Sequence, residues 1–183
     1  MINREQAMLL LKEHLKNINL QNHCLAVATV MEALALRMNE DVEKWYLAGL
    51  LHDIDYDMTF ETPEKHALIA MDILKDIDVS DDICQAIRSH SGNFPLESLM
   101  DKALWCADPV TGLILASALM TPEKKISAIK QSSLMKKYKS KGFAAGANRE
   151  QIASSENIGI TLADFLALAT EAMIKIEGLI IGT

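Results

Sequence analysis

The chain has 183 residues, of which 50% are hydrophobic and 23% are charged. This length and composition predict one domain, or one domain with a small appendage, and exclude disordered, collagen-like and disulfide-scaffold proteins. The net charge of −7 argues against a nucleic acid polymer as a partner, because polyanion binding needs a broad basic surface.

The sequence shows no sign of export or of a membrane anchor. No apolar run reaches the roughly 18 residues that a membrane-spanning helix needs, and the first residues do not have the pattern of a signal peptide. Cys24, Cys84 and Cys106 are an odd number of cysteines within helical patterns, which favours reduced thiols. We therefore expect a cytoplasmic protein without a membrane partner.

Apolar residues recur at helical spacing along almost the whole chain. Val27, Val30, Met31 and Leu34 follow the i, i+3, i+4, i+7 pattern of one helix face, and no convincing strand pattern occurs. The predicted helices cover residues 4–17, 21–38, 40–52, 62–75, 81–90, 96–107, 109–119, 122–131, 148–156 and 161–178. The fold class is therefore predicted to be all-α.

Helix breakers divide this pattern without creating a long linker. Pro109 is expected to separate two helices, and a glycine-rich turn covers residues 142–146. We expect a helical core over residues 1–120, with a helical extension over residues 121–183 packed on it. The apolar C-terminus either docks on its own chain or forms the seam of a homodimer.

Four of the five histidines and two aspartates lie where an apolar stripe meets a helix end. They are His23, His52, Asp53, His66, His90 and Asp108. If the helices form a bundle, these ends converge in one pocket, where a carboxylate is costly to bury unless it is paired or bound to a metal. Imidazole and carboxylate together suit Fe, Mn, Ni or Zn. For any single histidine, a role in capping a helix or in the core is the alternative.

The order His23, His52-Asp53, Asp108 resembles the HD-domain superfamily of metal-dependent phosphohydrolases. The segments LAGLLHDIDYD, KHALIAMDIL, AIRSHSGN and ALWCADPVTG agree with it, over about residues 20–120. The resemblance implies an all-helical bundle that binds one or two divalent ions, with Mg as a further option. It also implies a first metal on His23, His52, Asp53 and Asp108. His66 and His90 would match the extra histidines of two-metal subfamilies, including HD-type diadenosine tetraphosphatases.

The sequence departs from the familiar pattern of this family directly after the His52-Asp53 dipeptide. The familiar H-D-I-G-K is here His52-Asp53-Ile54-Asp55-Tyr56, so the glycine and the lysine are absent. No tandem histidines and no Gly-Tyr-Pro occur, which weighs against cyclic di-GMP as the substrate. Asp55 and Asp57 are interpreted as loop residues that cap Thr59, and an acid just outside the metal ligands is the alternative.

The resemblance implies hydrolysis by metal-activated water, with Asp53, His66 and His90 as catalytic residues. The expected substrate is a phosphomonoester, phosphodiester or phosphoanhydride of a nucleotide or another small phosphorylated metabolite. The alternatives are an inactive metal- or nucleotide-binding sensory module, an iron site for oxygen-dependent cleavage, and a bundle whose histidines merely cap helices.

A basic segment follows the proposed core. Residues 121–149 hold eight of the 18 basic residues but one of the 25 acidic ones. Lys141 and Arg149 are predicted to bind the substrate phosphate, and a solvated linker is the alternative. Tyr56, Phe60 and Phe94 are expected in loops near the site, where packing is favoured for each of them over contact with a base.

Overall fold

The computed structural model describes residues 1–140 and 142–181, and these residues form helices and turns without a strand. The α-helices are α1 (Arg4–His14), α2 (Ile18–Met38), α3 (Val42–Leu51), α4 (Tyr56–Thr59), α5 (Leu68–Leu74), α6 (Asp81–His90), α7 (Leu99–Leu119), α8 (Gln131–Lys139), α9 (Arg149–Ala153), α10 (Leu162–Ile174) and α11 (Glu177–Ile180). Short 3-10 turns cover Pro63–Lys65, Ile126–Ala128 and Ser154–Ile158. The predicted all-α fold class is confirmed.

Side-chain caps fix where the central helices begin. Asp41 accepts hydrogen bonds from the backbone of Glu43 and Lys44, both at 3.1 Å, at the start of α3. Ser98 and Asp101 form a capping box at the start of α7. Each cap satisfies backbone N–H groups that the first helical turn leaves unpaired. The two helices that lead to His52-Asp53 and to Asp108 therefore have defined starting points.

The bundle is built around α2, which packs against α3 and α7. Gly49 of α3 lies so close to α2 that an added Cβ would meet Ala28 Cα at 2.7 Å. Because that neighbour is backbone, only glycine permits this approach. The close packing brings the C-terminal end of α3 next to the first turns of α2.

Helix α7 runs through the proline at which a break was expected. Pro109 is buried inside the continuous helix Leu99–Leu119, so the predicted boundary at this residue is wrong. A proline within a helix costs about 3 kcal/mol, and the contacts of α7 with α2, α6 and α9 outweigh this cost. By length and composition α7 is also able to cross a membrane, and 56% of its most apolar stretch is buried in the bundle.

Two other predicted helices differ from the structure. The helix expected over 62–75 is interrupted by Ala67, whose φ of 66° is left-handed. The helix expected over 122–131 is reduced to the turn Ile126–Ala128, because Lys124 is also left-handed, with a φ of 51°. Helix α8 takes its place further along the chain, although the sequence analysis predicted no helix there.

The apolar C-terminus docks on its own chain. Helices α10 and α11 pack against α2, and Met173 and Ile180 are only 1% and 7% exposed. Leu179 remains 59% exposed. The division of the chain at residue 120 and the homodimer both stay predictions.

Candidate metal centre

The six predicted ligands meet at one cleft of about 400 Å³. Its wall is formed by Leu20, His23, Asp53, Tyr56, His66, His90, Ser91 and Asp108, and buried His52 lies behind it. The six side chains come from five places in the bundle: the start of α2, the end of α3, which carries both His52 and Asp53, the residue before Ala67, the end of α6 and the middle of α7. Asp108 was expected at a helix end, which is wrong because α7 continues past it; the site is built where helix ends and a connecting segment meet the middle of α7.

Backbone carbonyls fix the orientation of two buried histidines. The Nδ1–H of His52 donates to the Gly49 carbonyl at 2.8 Å, and that of His90 donates to the Ile87 carbonyl. A carbonyl only accepts hydrogen bonds, so Nδ1 carries the proton in both rings. In the neutral ring the lone pair is then on Nε2, which faces the cleft.

Side chains fix the other two histidines in the same sense. The Thr111 hydroxyl donates to the Asp108 carbonyl at 2.9 Å, so it accepts from His23 Nδ1–H, at 3.1 Å. His66 Nδ1–H donates to Asp55 Oδ1 at 2.8 Å. Both rings therefore also turn a lone pair on Nε2 toward the cleft.

The four Nε2 atoms surround the two carboxylates. His23 Nε2 lies 3.0 Å from Asp108 Oδ1, and His52 Nε2 lies 3.4 Å from Asp53 Oδ2. His66 Nε2 and His90 Nε2 lie 3.3 and 3.4 Å from Asp53 Oδ1. Asp53 thus faces His52 with one oxygen and the His66–His90 pair with the other.

These donor atoms fit a divalent cation. His52 Nε2 is fully buried and makes no hydrogen bond to any described residue, and His66 Nε2 lies only 3.0 Å from His90 Nε2. Lone pairs this close repel each other unless a proton or a cation lies between them. Ligands that each lie about 2.1 Å from one ion are at most about 4.2 Å apart, and these spacings are within that limit. Two groups can hold an ion: His23, His52 and Asp108, and His52, Asp53 and His90.

Without a metal, the contacts with the carboxylates keep His52 and His66 protonated, because they raise the pKa of both rings. Burial lowers the pKa of His52, but the neighbouring Asp53 carboxylate outweighs it and raises that pKa to about 9. Burial likewise opposes the rise in the pKa of His66, which Asp53 and Asp55 bring to about 10. Burial alone would raise the pKa of Asp53, yet His52, His66 and His90 hold that pKa well below its usual range. Protons and metal ions therefore compete for the same Nε2 atoms.

Arg149, one of the two predicted substrate-binding residues, is not among the residues that line the cleft. The Arg149 guanidinium donates to backbone carbonyls of its own loop, including those of Tyr138 at 2.8 Å and Ala144 at 3.1 Å. These bonds hold the turn before α9 together. Lys141 lies outside the described residues. Among the described residues, the wall of the cleft contains neither lysine nor arginine.

Asp55 does more at the site than cap Thr59, which is the role that the sequence analysis assigned to it. Its side chain is fully buried, and Oδ1 accepts from His66 while Oδ2 accepts from the Ala70 backbone at 2.9 Å. The link to Thr59 is made by the backbone carbonyl of Asp55 instead, at 3.0 Å. The alternative of an acid just outside the ligands describes it better. Asp57 lies in the first turn of α4 rather than in a loop, and its carboxylate accepts from the Lys16 backbone N–H at 2.6 Å.

Sequence comparisons give relatives that share part of this chain. Ribonuclease Y of Desulfotalea psychrophila is 34% identical over 94 residues, which are 51% of this chain and 18% of that protein. Ribonuclease Y of Acetivibrio thermocellus is 26% identical over 87% of this chain and 31% of its own length. The chain thus spans less than a third of the curated relatives it matches. No solved structure matches the chain.

These relatives overturn one expectation from the sequence. The exclusion of a nucleic acid polymer as a partner is wrong, because it conflicts with relatives named as ribonucleases. The net charge of the whole chain was a misleading guide, since basic residues are concentrated in 121–149 while acidic residues dominate elsewhere.

The family comparison agrees with the geometry of the cleft. The HD domain model matches residues 20–167, which include all six converging side chains and the helices that carry them. The resemblance seen in the sequence is therefore confirmed. The chain belongs to the HD domain family, within the superfamily of metal-dependent phosphohydrolases.

Proposed function

We propose that this protein hydrolyses phosphodiester bonds of single-stranded RNA at the His–Asp cleft. The observation that carries the proposal is the set of four histidine Nε2 atoms that face Asp53 and Asp108 in an open cleft. The cleft is accessible, since the side chains of His23 and Asp108 are 24% and 31% exposed. The relatives named ribonuclease Y support RNA as the substrate class.

The ligand set supports a site for one or two transition-metal ions. His23, His52, Asp53 and Asp108 would hold the first ion, and His66 and His90 would hold the second with Asp53. Fe, Mn, Ni and Zn suit this mixture of nitrogen and oxygen donors. A bound ion supplies positive charge and makes water acidic enough to attack near neutral pH.

The residues of this chain hold the reacting groups in place. The hydrogen bonds to the four Nδ1 atoms fix the rings before substrate arrives, so no reorientation is needed during the reaction. Hydrolysis adds the oxygen of water to phosphorus and breaks the bond to the leaving ribose oxygen, which receives one proton. No oxidation state changes in this step, so it requires no redox partner.

The charge of the cleft wall favours a diester over a terminal phosphate. A diester phosphate carries one negative charge, whereas a terminal phosphate approaches two at neutral pH. The described wall offers no lysine or arginine to balance the additional charge. An internal phosphate of a strand therefore suits this cleft better than the end of a nucleotide.

Exposed lysines outside the cleft support a polyanionic substrate. Lys124, Lys130, Lys136 and Lys139 are exposed, and within the described residues their ammonium groups form no ion pair. Ser127 in the same segment donates to Glu177 Oε1 at 2.9 Å, at the start of α11. Helix α11 in turn contributes Ile180 to a small cavity that it shares with His23. The segment that carries these lysines thus contacts α11, and its exposed positive charge can neutralise phosphates outside the cleft.

The test is hydrolysis of a single-stranded RNA oligonucleotide by the full chain with Mn²⁺. We expect cleavage that EDTA abolishes and that Asp53→Asn lowers by at least about 100-fold, because Asp53 faces both ligand groups. Asp57→Asn is the matched control, since this exposed carboxylate contacts only the Lys16 backbone among the described residues. RNA that stays intact under these conditions would refute the proposal.

A further inference from the structure

Two aromatic rings stand one above the other at the rim of the cleft. Tyr56 begins α4 and lines the cleft, and Phe60 follows four residues later on the same side of that helix. Their ring centroids are 6.2 Å apart, with an angle of 51° between the planes. The Tyr56 ring also lies edge-on to His66, with centroids 5.9 Å apart. The pair is therefore continuous with the wall of the metal centre.

Phe60 is unusually exposed for a phenylalanine. It is 71% exposed, whereas Phe165 is fully buried and Phe94 lies under the Arg88 guanidinium, 4.9 Å from its ring centroid. The preference for packing that the sequence suggested does not hold for Phe60. An aromatic ring presented to water gains free energy when another flat apolar surface covers it.

Tyr56 has a free polar end as well as an aromatic face. Within residues 1–140 and 142–181, its hydroxyl makes no hydrogen bond, although the ring is partly buried. It stands where the familiar family motif has a lysine. A phenol does not neutralise phosphate, but it offers a π surface and a donor to a neutral ring.

We propose that Tyr56 and Phe60 form a subsite that stacks a nucleobase of the RNA strand whose phosphate lies at Asp53. The inference rests on the proposed function and names how that site holds its substrate. Aromatic side chains bind single strands in this way because every base has a π face. The subsite therefore selects for the presence of a base rather than for a particular sequence.

The position of the Tyr56–Phe60 pair indicates that its ligand is a nucleobase. A base next to the scissile phosphate must rest against the rim of the cleft, and Tyr56 belongs to that rim. Exposed Leu36, at 63%, lies at the other end of α2 from His23, about 20 Å along the helix, and has no such connection. It provides a matched control for the loss of an exposed apolar side chain.

The experiment measures binding of two strands to the metal-loaded protein by fluorescence anisotropy. One probe is a 2′-O-methyl phosphorothioate oligoadenylate, which resists hydrolysis, and the other is an abasic strand with the same backbone and length. We expect the wild-type protein to prefer the oligoadenylate and Phe60→Ala to weaken its binding by about 10-fold. Binding of the abasic strand should not change.

The control variants separate stacking from other effects. Phe60→Trp should retain the preference for bases, and Leu36→Ala should behave as the wild type. Because Phe60 is largely exposed, circular dichroism should show an unchanged fold for Phe60→Ala. Equal binding of oligoadenylate by the wild type and Phe60→Ala would overturn the subsite, as would equal weakening of both strands.

The same proteins distinguish this inference from the proposed function. A wild type that prefers bases but leaves RNA intact would retain the subsite and refute the hydrolase. A wild type that cleaves RNA but binds both strands equally, or binds neither strand, would refute the subsite and leave the hydrolase standing. For an active enzyme, we expect Phe60→Ala to raise KM for RNA by about 10-fold and to leave kcat unchanged.

Discussion

At the scale of single residues, Asp55 determines what His66 presents to the cleft. Its two oxygens accept from two donors, His66 Nδ1–H and the Ala70 backbone N–H. The second bond also caps the start of α5, where Ala67 has no side chain that is able to cap. One buried carboxylate thus orients a predicted metal ligand and caps the start of a helix.

We predict that Asp55→Asn weakens metal binding without unfolding the protein. Asparagine has one acceptor oxygen, so its amide NH₂ must face either His66 or Ala70, both of which donate. Loss of one of these bonds should lower stability by about 1–3 kcal/mol and metal affinity by about 10- to 100-fold. Equilibrium dialysis against Zn²⁺, followed by metal analysis, measures the affinity.

A double-mutant comparison tests whether Asp55 acts through His66. In a His66→Ala background, Asp55→Asn should cause little further loss of metal affinity, because the ring that it orients is gone. An equal loss in both backgrounds would contradict this role. Asp57→Asn should leave zinc affinity at the wild-type value.

At the scale of helices, the contact between α2 and α3 sets the distance between His23 and His52. The two rings are 5.2 Å apart because Gly49 lets α3 lie directly on the α2 backbone. An alanine at this position would place its methyl group 2.7 Å from Ala28 Cα, so a helix must shift.

We predict that Gly49→Ala lowers the free energy of unfolding by about 1–3 kcal/mol or more, as overpacked cores do. Gly112→Ala should instead stabilise α7 by up to about 1 kcal/mol, because no atom of the described residues lies within 4 Å of its added Cβ and alanine is the better helix former. Urea unfolding in EDTA measures both. A Gly49→Ala protein as stable as the wild type would show that α3 does not need this approach.

The sequence predicted the helices better than it predicted the connections between them. Apolar periodicity located most of α2, α6 and α10, since an amphipathic face is recorded locally in the sequence. Pro109 was misjudged because tertiary contacts outweigh a local preference. The role of Asp55 was underestimated for a similar reason, since its partners lie 11 and 15 residues away and only the fold brings them together.

At the scale of the whole molecule, charge is divided between two regions. The cleft concentrates histidine and aspartate, while the exposed lysines lie in residues 121–149. A strand that spans both regions would meet metal charge at the reacting phosphate and ammonium charge at its other phosphates. This division explains how a chain with a net charge of −7 is compatible with relatives that are named for RNA.

The stability of the metal-free protein should fall as pH rises, whereas the additional stability that metal binding provides should grow. His52 and His66 have pKa values of about 9 and 10 in the folded protein, against 6.5 for an ordinary histidine. The folded state therefore binds more protons than the unfolded state between those values, and stability is lost as pH rises from about 6.5 to 10. Asp53 and Asp108 have lowered pKa values, so their contribution is present above about 4 and is lost in acid.

We accordingly expect the Tm in EDTA to fall between pH 6.5 and 9, and the stabilisation by added Mn²⁺ to grow over the same range. The second trend follows because a metal binds only the deprotonated Nε2 atoms, which become available as protons leave. Thermal unfolding at several pH values, with EDTA and with Mn²⁺, measures both trends. Asp53→Asn removes the carboxylate that raises the pKa of both histidines, so it should flatten the EDTA curve. A wild-type Tm that rises with pH in EDTA would show that the imidazoles do not retain their protons beside Asp53.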